Sequence, residues 1–320
     1  MTAQLASGSV AKRIERSLEW PTLALCGGLY AAFAALTYWH AALPTLLVAV
    51  GGALLVALHG SMQHEIIHGH PTPWRLFNRA LGFPSLALWL PFEAYRISHI
   101  VHHRDEALTD PLDDPESYYW SAEQWHAIGP AGRLVVRLHT TLAGRLLIGP
   151  AWNIARFLQA EGRAVARGDR LRRRIWAWHL VGVAAMLLWI VGVCGINPLF
   201  YVFAIVYPGT SILLLRSFAE HRAQDGVFER TAIVENSWVF GPLFLFNNLH
   251  AAHHERPLIP WYRLPAWYAA NRARLLATNG GLVYDGYGEV ARRFLFTPHD
   301  VNLHPAQADP VRATGLASDG

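Results

Sequence analysis

WPTLALCGGLYAAFAALTYWHAALPTLLVAVGGALLVALHGSMQHEIIHGH, residues 20–70, contains no Asp, Glu, Lys or Arg from Trp20 to His64. One membrane span needs about 20 apolar residues, so this run is long enough for two spans joined by a tight turn. His40-Ala-Ala-Leu-Pro44 supplies the turn, since proline marks a break between helical patterns. The reading is a helical hairpin over 21–39 and 44–63 that runs without interruption into His64-x3-His68.

The rest of the chain repeats this arrangement. A second charge-free run extends from Ile175 to Leu215 with Gly195-Ile-Asn-Pro198 near its middle. It predicts spans over 175–194 and 199–215. The whole sequence is 52% hydrophobic and 16% charged, with mean hydropathy +0.19. Soluble domains carry about 25% charged residues, so the composition is that of an integral membrane protein.

Orientation follows from the basic residues. Lys12, Arg13 and Arg16 precede the first hairpin, Arg170, Arg172, Arg173 and Arg174 precede the second, and Arg216 follows it. The two outer turns carry no charge. The positive-inside rule then places both termini and all large segments in the cytoplasm, in a protein expected in a bacterial inner membrane. A cleaved signal peptide has an apolar region of only about 7–15 residues, which does not describe this hairpin. The net charge of +4 comes mainly from arginines that flank spans. It lacks the basic face on a soluble domain that nucleic-acid binding requires. Cys26 and Cys194 fall inside spans and read as apolar packing residues.

Three histidine clusters stand out: His64-x3-His68, His99-x2-His102-His103 and His250-x2-His253-His254. Spacings of three and four residues bring side chains to one helix face. A shuffled chain of this composition would show HxxHH roughly 0.05 times, and this chain shows it twice. An ordinary zinc site takes about four ligands, three of them protein in a catalytic site, so eight histidines point to two metals. Imidazole suits Zn, Cu, Fe and Ni alike, and spacing does not choose among them.

The layout brings the clusters together. The first follows the second predicted span, and the other two lie in segments on the same side. A shorter apolar stretch, 80–92, carries Pro84 and Pro91 and is too short to span, so it reads as interfacial. Residues 123–174 read as amphipathic helix. A segment of 222–296 carries the third cluster, and 1–19 is a polar lead-in. From 297 to 320 the chain lacks apolar periodicity and reads as disordered. The fold class is therefore all-α integral membrane, with four spans as two hairpins. A cytoplasmic helical domain carrying a histidine-rich dimetal site caps them.

The pattern HxxxH, HxxHH, HxxHH with two membrane hairpins resembles the membrane fatty acid desaturase and hydroxylase family, over roughly residues 40–300. Asp113-Asp114-Pro115-Glu116 after the second cluster is similar to that family's sequence, as is Asn247-Asn248-Leu-His250 leading into His253-His254-Glu255-Arg256-Pro257. The resemblance implies two non-haem irons, O2 activation and oxidation of an unactivated C–H bond in a fatty acyl or other lipid-like substrate. It implies His64, His68, His99, His102, His103, His250, His253 and His254 as iron ligands. His221, just past the fourth span, stands where acyl-CoA members carry a ninth. Ser217 stands where those members have an asparagine. No fused haem or flavin signature is present, so an external ferredoxin- or rubredoxin-like electron donor is implied. The arginines of 163–174 read first as a membrane anchor and second as a surface that steers such a donor.

Desaturation is the first reading of the reaction, with lipid hydroxylation or carotenoid ketolation or hydroxylation as the alternative. HEIIH also fits the HExxH motif of zinc proteases, with Glu65 as general base, but that reading leaves both HxxHH clusters unused. A metal transporter would place its polar ligands inside the spans, whereas these clusters sit beyond them. His70 reads as surface or as a neighbour of the ligands. Asp113 and Asp114 read as loop-shaping.

Overall fold

A computed structural model describes residues 18–305. The lead-in up to residue 17 and the tail from 306 lie outside the described residues. Among the described residues four helices are long and apolar enough to cross a membrane: α1 (Trp20–Tyr38), α2 (Thr45–Ile67), and two more late in the chain. Between the pairs come α3 (Arg75–Gly82), α4 (Phe92–His102), α5 (Ala122–Ala127), α6 (Pro130–His139), α7 (Leu142–Leu147) and α8 (Gly149–Ala166). The second hairpin is α9 (Arg170–Val193) and α10 (Pro198–Glu220), each containing one wider π-helical turn segment. The amphipathic stretch expected over 123–174 is thus four helices and the start of α9. Proline at the starts of α6 and α8 sets two of the breaks, because the first turn is where its missing N–H costs nothing.

The hairpins pack through α2 and α10, and small residues let them approach. A Cβ on Gly52 would sit 2.9 Å from Ile205, and one on Gly209 would sit 2.7 Å from Val56. In lipid there is no hydrophobic drive between helices, so such close backbone contact carries the association. Around this seam lies a buried cluster with Cys26, Leu29, Phe33, Val56, Tyr201 and Ile205. The two cysteines are free, as packing residues would be. Leu46, Leu54, Leu180, Leu188 and Phe203 are exposed on the outside of the bundle, the expected pattern for side chains that face lipid tails.

The stretch 80–92 departs from the interfacial reading. It folds in among the spans, with Leu86 1% exposed. Its carbonyls accept hydrogen bonds from the spans themselves. Gln63 Nε2 donates to Gly82 O at 2.8 Å, Tyr201 Oη to Leu86 O at 2.6 Å, and Tyr30 Oη to Leu81 O at 2.5 Å. His179 Nε2 lies 2.8 Å from Leu88 O. Non-helical backbone is tolerated inside a membrane bundle only where protein groups satisfy it, and here side chains of all four spans do so. Length and proline content could not reveal those partners, which come from positions far apart in sequence.

Beyond α10 the chain forms a cap. It contains a two-residue parallel pair, β1 (Ile233–Val234) with β2 (Val283–Tyr284), and the helices α11 (Phe240–Leu243), α12 (His250–Glu255), α13 (Leu264–Thr278) and α14 (Gly286–Phe294). The expectation of disorder from residue 297 does not hold for 297–305. Trp120 N donates to Asn302 O at 2.9 Å, His304 N to Trp120 O at 3.1 Å, and Tyr119 Oη to Asp300 Oδ2 at 2.6 Å. This segment is held by backbone and polar contacts rather than by an apolar stripe, so periodicity could not report it.

Candidate metal centre

α2 delivers His64 in its last turn and His68 as its C-terminal cap residue. α4 delivers His99 and His102, with His103 just past its end. α10 ends at Glu220, so His221 follows it directly in extended backbone. α12 carries His250, His253 and His254. The approach to α12 is unusual, because Leu245 and Phe246 both adopt positive φ, 50° and 57°. Bulky residues rarely occupy that region, and the turn they make sets Asn247 and His250 facing inward.

All nine histidines expected from sequence gather at this junction, in two groups that could each hold a metal ion. One comprises His64, His68, His99, His103 and His253; the other comprises His102, His221, His250 and His254. Within the first, Nε2 atoms lie 3.1 Å apart for His68–His99, 3.0 Å for His99–His103 and 3.1 Å for His103–His253. His64 joins through its ring, centred 4.4 Å from that of His99 and 4.6 Å from that of His253. Within the second, the distances are 3.0 Å for His102–His221, 2.9 Å for His221–His250 and 3.1 Å for His250–His254.

The outer nitrogens show which way the protons point. His102 Nδ1 donates to Asp114 Oδ1 at 2.9 Å, and His99 Nδ1 lies 3.2 Å from Glu116 Oε1. His221 Nδ1 lies 3.3 Å from the Arg230 carbonyl. His250 Nδ1 faces Asn247 Oδ1 at 3.2 Å and Glu220 Oε1 at 3.4 Å. Every one of these partners is an acceptor, so Nδ1 carries the hydrogen and Nε2 presents its lone pair inward. Lone pairs that face each other at about 3 Å in a buried site repel, unless a cation lies between them. The residues therefore fit a metal pair.

Spacing adds a second test. With nitrogens about 2.1 Å from a metal, neighbours at right angles are about 3.0 Å apart and those of a tetrahedron about 3.4 Å. The observed 2.9–3.1 Å matches right-angled coordination, which leaves room for more than four ligands. Burial, followed by neighbouring imidazoles, holds His68, His99, His250, His253 and His254 well below the ordinary histidine range, and holds His103 at about 2. Neutral imidazole is the form that binds metal. His102 is the exception. Burial alone would lower it, but the Glu116 and Asp114 carboxylates push it up to about 9.

The fatty acid desaturase family profile matches residues 18–287. The chain belongs to the fatty acid desaturase family. An sn-1 acyl-lipid omega-3 desaturase (ferredoxin) from Nostoc sp. (strain 36) is 23% identical over 243 residues, which is 74% of this chain and 59% of that protein. A beta-carotene ketolase from Paracoccus sp. (strain N81106 / MBIC 01143) is 25% identical over 274 residues, 77% of this chain and 91% of that protein. The match thus spans less than two thirds of the first relative and nearly the whole of the second.

Several residues around the centre differ from their sequence reading. Asp114 does more than shape a loop: its Oδ2 accepts from Thr109 N at 2.9 Å while its Oδ1 holds His102. Glu116, Glu220 and Asn247 are further partners that spacing alone did not assign. The acidic run after the second cluster was the sequence signal for Glu116 and the family-like run before the third cluster that for Asn247, while Glu220 had none. Glu65 accepts from Trp261 N at 2.8 Å and lies 3.8 Å from His70 Nε2, which turns its carboxylate away from the ligand histidines. His70 is buried rather than on the surface, with Nδ1 2.5 Å from Glu19 Oε1. Ser217 Oγ accepts from Tyr118 Oη at 2.7 Å.

A cavity of about 460 Å³ adjoins the centre. Its apolar part includes Val56, Trp89, Leu90, Phe157 and Leu213, and it reaches the histidines through Glu116 and Tyr95. The Tyr95 ring centre is 5.7 Å from that of His99.

Proposed function

We propose that this chain is an O2-dependent membrane oxidase that breaks an unactivated C–H bond of a fatty acyl or lipid-like substrate, using two irons held by the nine histidines. One observation carries the reading: two histidine groups with inward lone pairs adjoin a lipid-sized, largely apolar cavity. Pockets that enclose small molecules run to about 300–1,000 Å³, and this one is within that range. Iron is favoured over zinc because the nitrogen spacing fits right-angled coordination and because oxidation needs a redox metal.

The irons would supply O2 activation and C–H oxidation. The protein supplies the rest. Asp114, Glu116, the Arg230 carbonyl and Asn247 fix the tautomers of their histidines, and outer partners of this kind orient ligands and raise their basicity. Trp89, Leu213 and Phe157 keep water from the apolar part of the substrate. Desaturation would remove two hydrogens and turn O2 into two waters. Oxygen insertion would place one oxygen atom in the C–H bond and turn the other into water. Either reaction takes two electrons and two protons, so a one-electron donor of the ferredoxin or rubredoxin type is part of the proposal. The charge map supports a cytoplasmic side for the centre and for that encounter.

Desaturation came first on the sequence. Oxygen insertion has the more specific support now, from the match along 91% of a ketolase and from the polar character of the cavity wall beside the centre. The test is expression in a host, followed by mass spectrometry of its lipids with the wild-type chain and with a His250→Ala control. Loss of two hydrogens marks desaturation and gain of oxygen marks insertion. Lipids unchanged by an iron-loaded chain supplied with O2 and reductant would sink the proposal.

A further inference from the structure

α8 turns one face to the cavity. Asn153, Arg156, Phe157, Ala160 and Glu161 all line it, at the i, i+3, i+4, i+7 and i+8 positions that share one side of a helix. Glu161 is already engaged: one oxygen lies 3.1 Å from Arg172 Nη1, and the other accepts from Trp176 Nε1 at 2.9 Å. The Arg156 guanidinium has neither an ion pair nor a hydrogen bond among the described residues, and the Asn153 amide has no hydrogen bond there either. Arg156 is also exposed, so its donors are open to a ligand.

Although exposed, the arginine is held in place. Its guanidinium carbon lies over the Trp120 ring, 4.6 Å from the ring centre, and 6.0 Å from that of Trp152. Trp120 is buried, and its backbone is pinned on both sides, N to Asn302 O and O to His304 N. An arginine held by its flat face keeps its edge of N–H donors for bidentate binding of an oxyanion such as phosphate. The charge at this end agrees. Arg156 and Arg172 meet one carboxylate, Glu161, so one positive charge is left over. The apolar wall begins one residue on. The Phe157 ring centre is 5.6 Å from that of Trp89 and 6.3 Å from that of Trp176, and Trp176 lies at the start of the charge-free run of α9. Arg156 thus stands at the membrane surface, the level of lipid head groups.

We infer that Arg156, with Asn153 one turn before it, binds the phosphate of an acyl glycerolipid whose chain passes Phe157 and Trp89 into the cavity. The substrate class is then an acyl chain carried on a phosphate-bearing membrane lipid, rather than a polyene without a head group. A soluble acyl carrier such as coenzyme A also offers phosphate, but the place of Arg156 at the membrane surface favours the lipid. The inference rests on the oxidase reading for the fate of the chain and not for the binding.

The test uses the iron-loaded protein in non-ionic detergent micelles without reductant, so that binding is read apart from turnover. Probes with the same brominated acyl chains quench tryptophan fluorescence on binding: phosphatidylglycerol, diacylglycerol, the acyl-coenzyme A and the free fatty acid. Phosphatidylglycerol is expected to bind at least about tenfold more tightly than diacylglycerol, the range of a hydrogen bond to a charged group. Arg156→Gln should reduce that preference to about twofold or less. Arg156→Lys should retain part of it, since the charge remains and the planar donor edge is lost, and Asn153→Ala should cost less than Arg156→Gln. Arg163→Gln, on the same helix but outside the cavity lining, should leave the preference unchanged. Equal binding of the two lipids, or an equal loss in Arg163→Gln, overturns the proposal. Tighter binding of the coenzyme A ester or the fatty acid, or displacement of the lipid by an equal concentration of inorganic phosphate, overturns the assignment to a membrane lipid. Reductant and O2 are then added, with β-carotene as a further substrate. A protein that binds phosphatidylglycerol with the preference but oxidises no probe overturns the oxidase reading and upholds the head-group site. One that oxidises β-carotene and shows no preference does the reverse.

Discussion

The five-histidine and four-histidine groups lie side by side, yet they are supported in different ways. In the five-member group, His99 alone has a carboxylate behind it among the contacts described, and that carboxylate, Glu116, is 29% exposed. In the four-member group three ligands have outer partners, and the two carboxylates, Asp114 and Glu220, are buried, at 2% and 7%. The group with fewer imidazoles is therefore the one with more fixed negative charge behind it. Catalytic metal sites keep a coordination position open, and a site one ligand short needs its remaining ligands held more firmly. Glu220 links the four-member group to Arg216 and hence to the cavity wall.

The most severe way to break this comparison is to remove one ligand from each group. His250→Ala takes one of four imidazoles and leaves Glu220 facing a void. Metal content should fall from two toward one per chain, and turnover should drop by on the order of a hundredfold or more. His68→Ala takes one of five and should retain more of its metal than His250→Ala does. Metal analysis of the purified variants reads both. Equal losses, or the reverse order, would show that the two groups are held alike.

Outer partners give a sharper and smaller test. Asp114→Asn keeps the shape and the Thr109 contact but removes the buried charge behind His102. Losses of about 10–100-fold in metal affinity are usual for such changes. Glu116→Gln acts at a partly exposed position and should cost less, within about tenfold, because solvent screens that carboxylate. Competition with a chelator measures the two affinities. A larger effect at Glu116 would reverse the assignment of the firmer site.

Eight of the nine histidines were legible in the sequence because their helical spacing and the charge map both pointed to one face, and His221 was legible only through the family resemblance. The spans were legible too, to within a few residues at most ends, since charge-free runs report burial in lipid directly. The outer partners were not. Glu220 and Asn247 act on His250 from two separate segments, and nothing in their own spacing marks that convergence. The re-entrant stretch 80–92 was misread for the same reason. Its backbone is satisfied by Gln63, Tyr30, Tyr201 and His179, and long-range hydrogen bonds leave no local pattern. Local periodicity reports what an element buries, and convergence of elements has to be seen.

A histidine outside the centre separates the effect of burial from that of metal. His299 packs against Phe218, Phe294 and Tyr284, with ring centres 4.9, 4.7 and 6.2 Å away. Its Nε2 lies 3.0 Å from Tyr284 Oη. Burial lowers it to about 4, against the Asp300 carboxylate and with help from Arg145, Arg222 and Arg293. Above about pH 6.5 the ring is neutral both folded and unfolded and contributes nothing to the pH dependence. As the pH falls from about 6.5 toward 4, the unfolded chain takes up a proton that the folded chain refuses, and stability is lost. At pH 5 the loss should reach about 2 kcal/mol at most. His299→Phe should remove this slope without altering the metal content. Thermal unfolding of the iron-loaded protein at pH 7 and pH 5 reads the difference, and the variant should lose less on acidification than the wild type. If both lose equally, acid acts through the ligand histidines, which must then give up metal before the cap opens, and the order of events on unfolding would run from the centre outward.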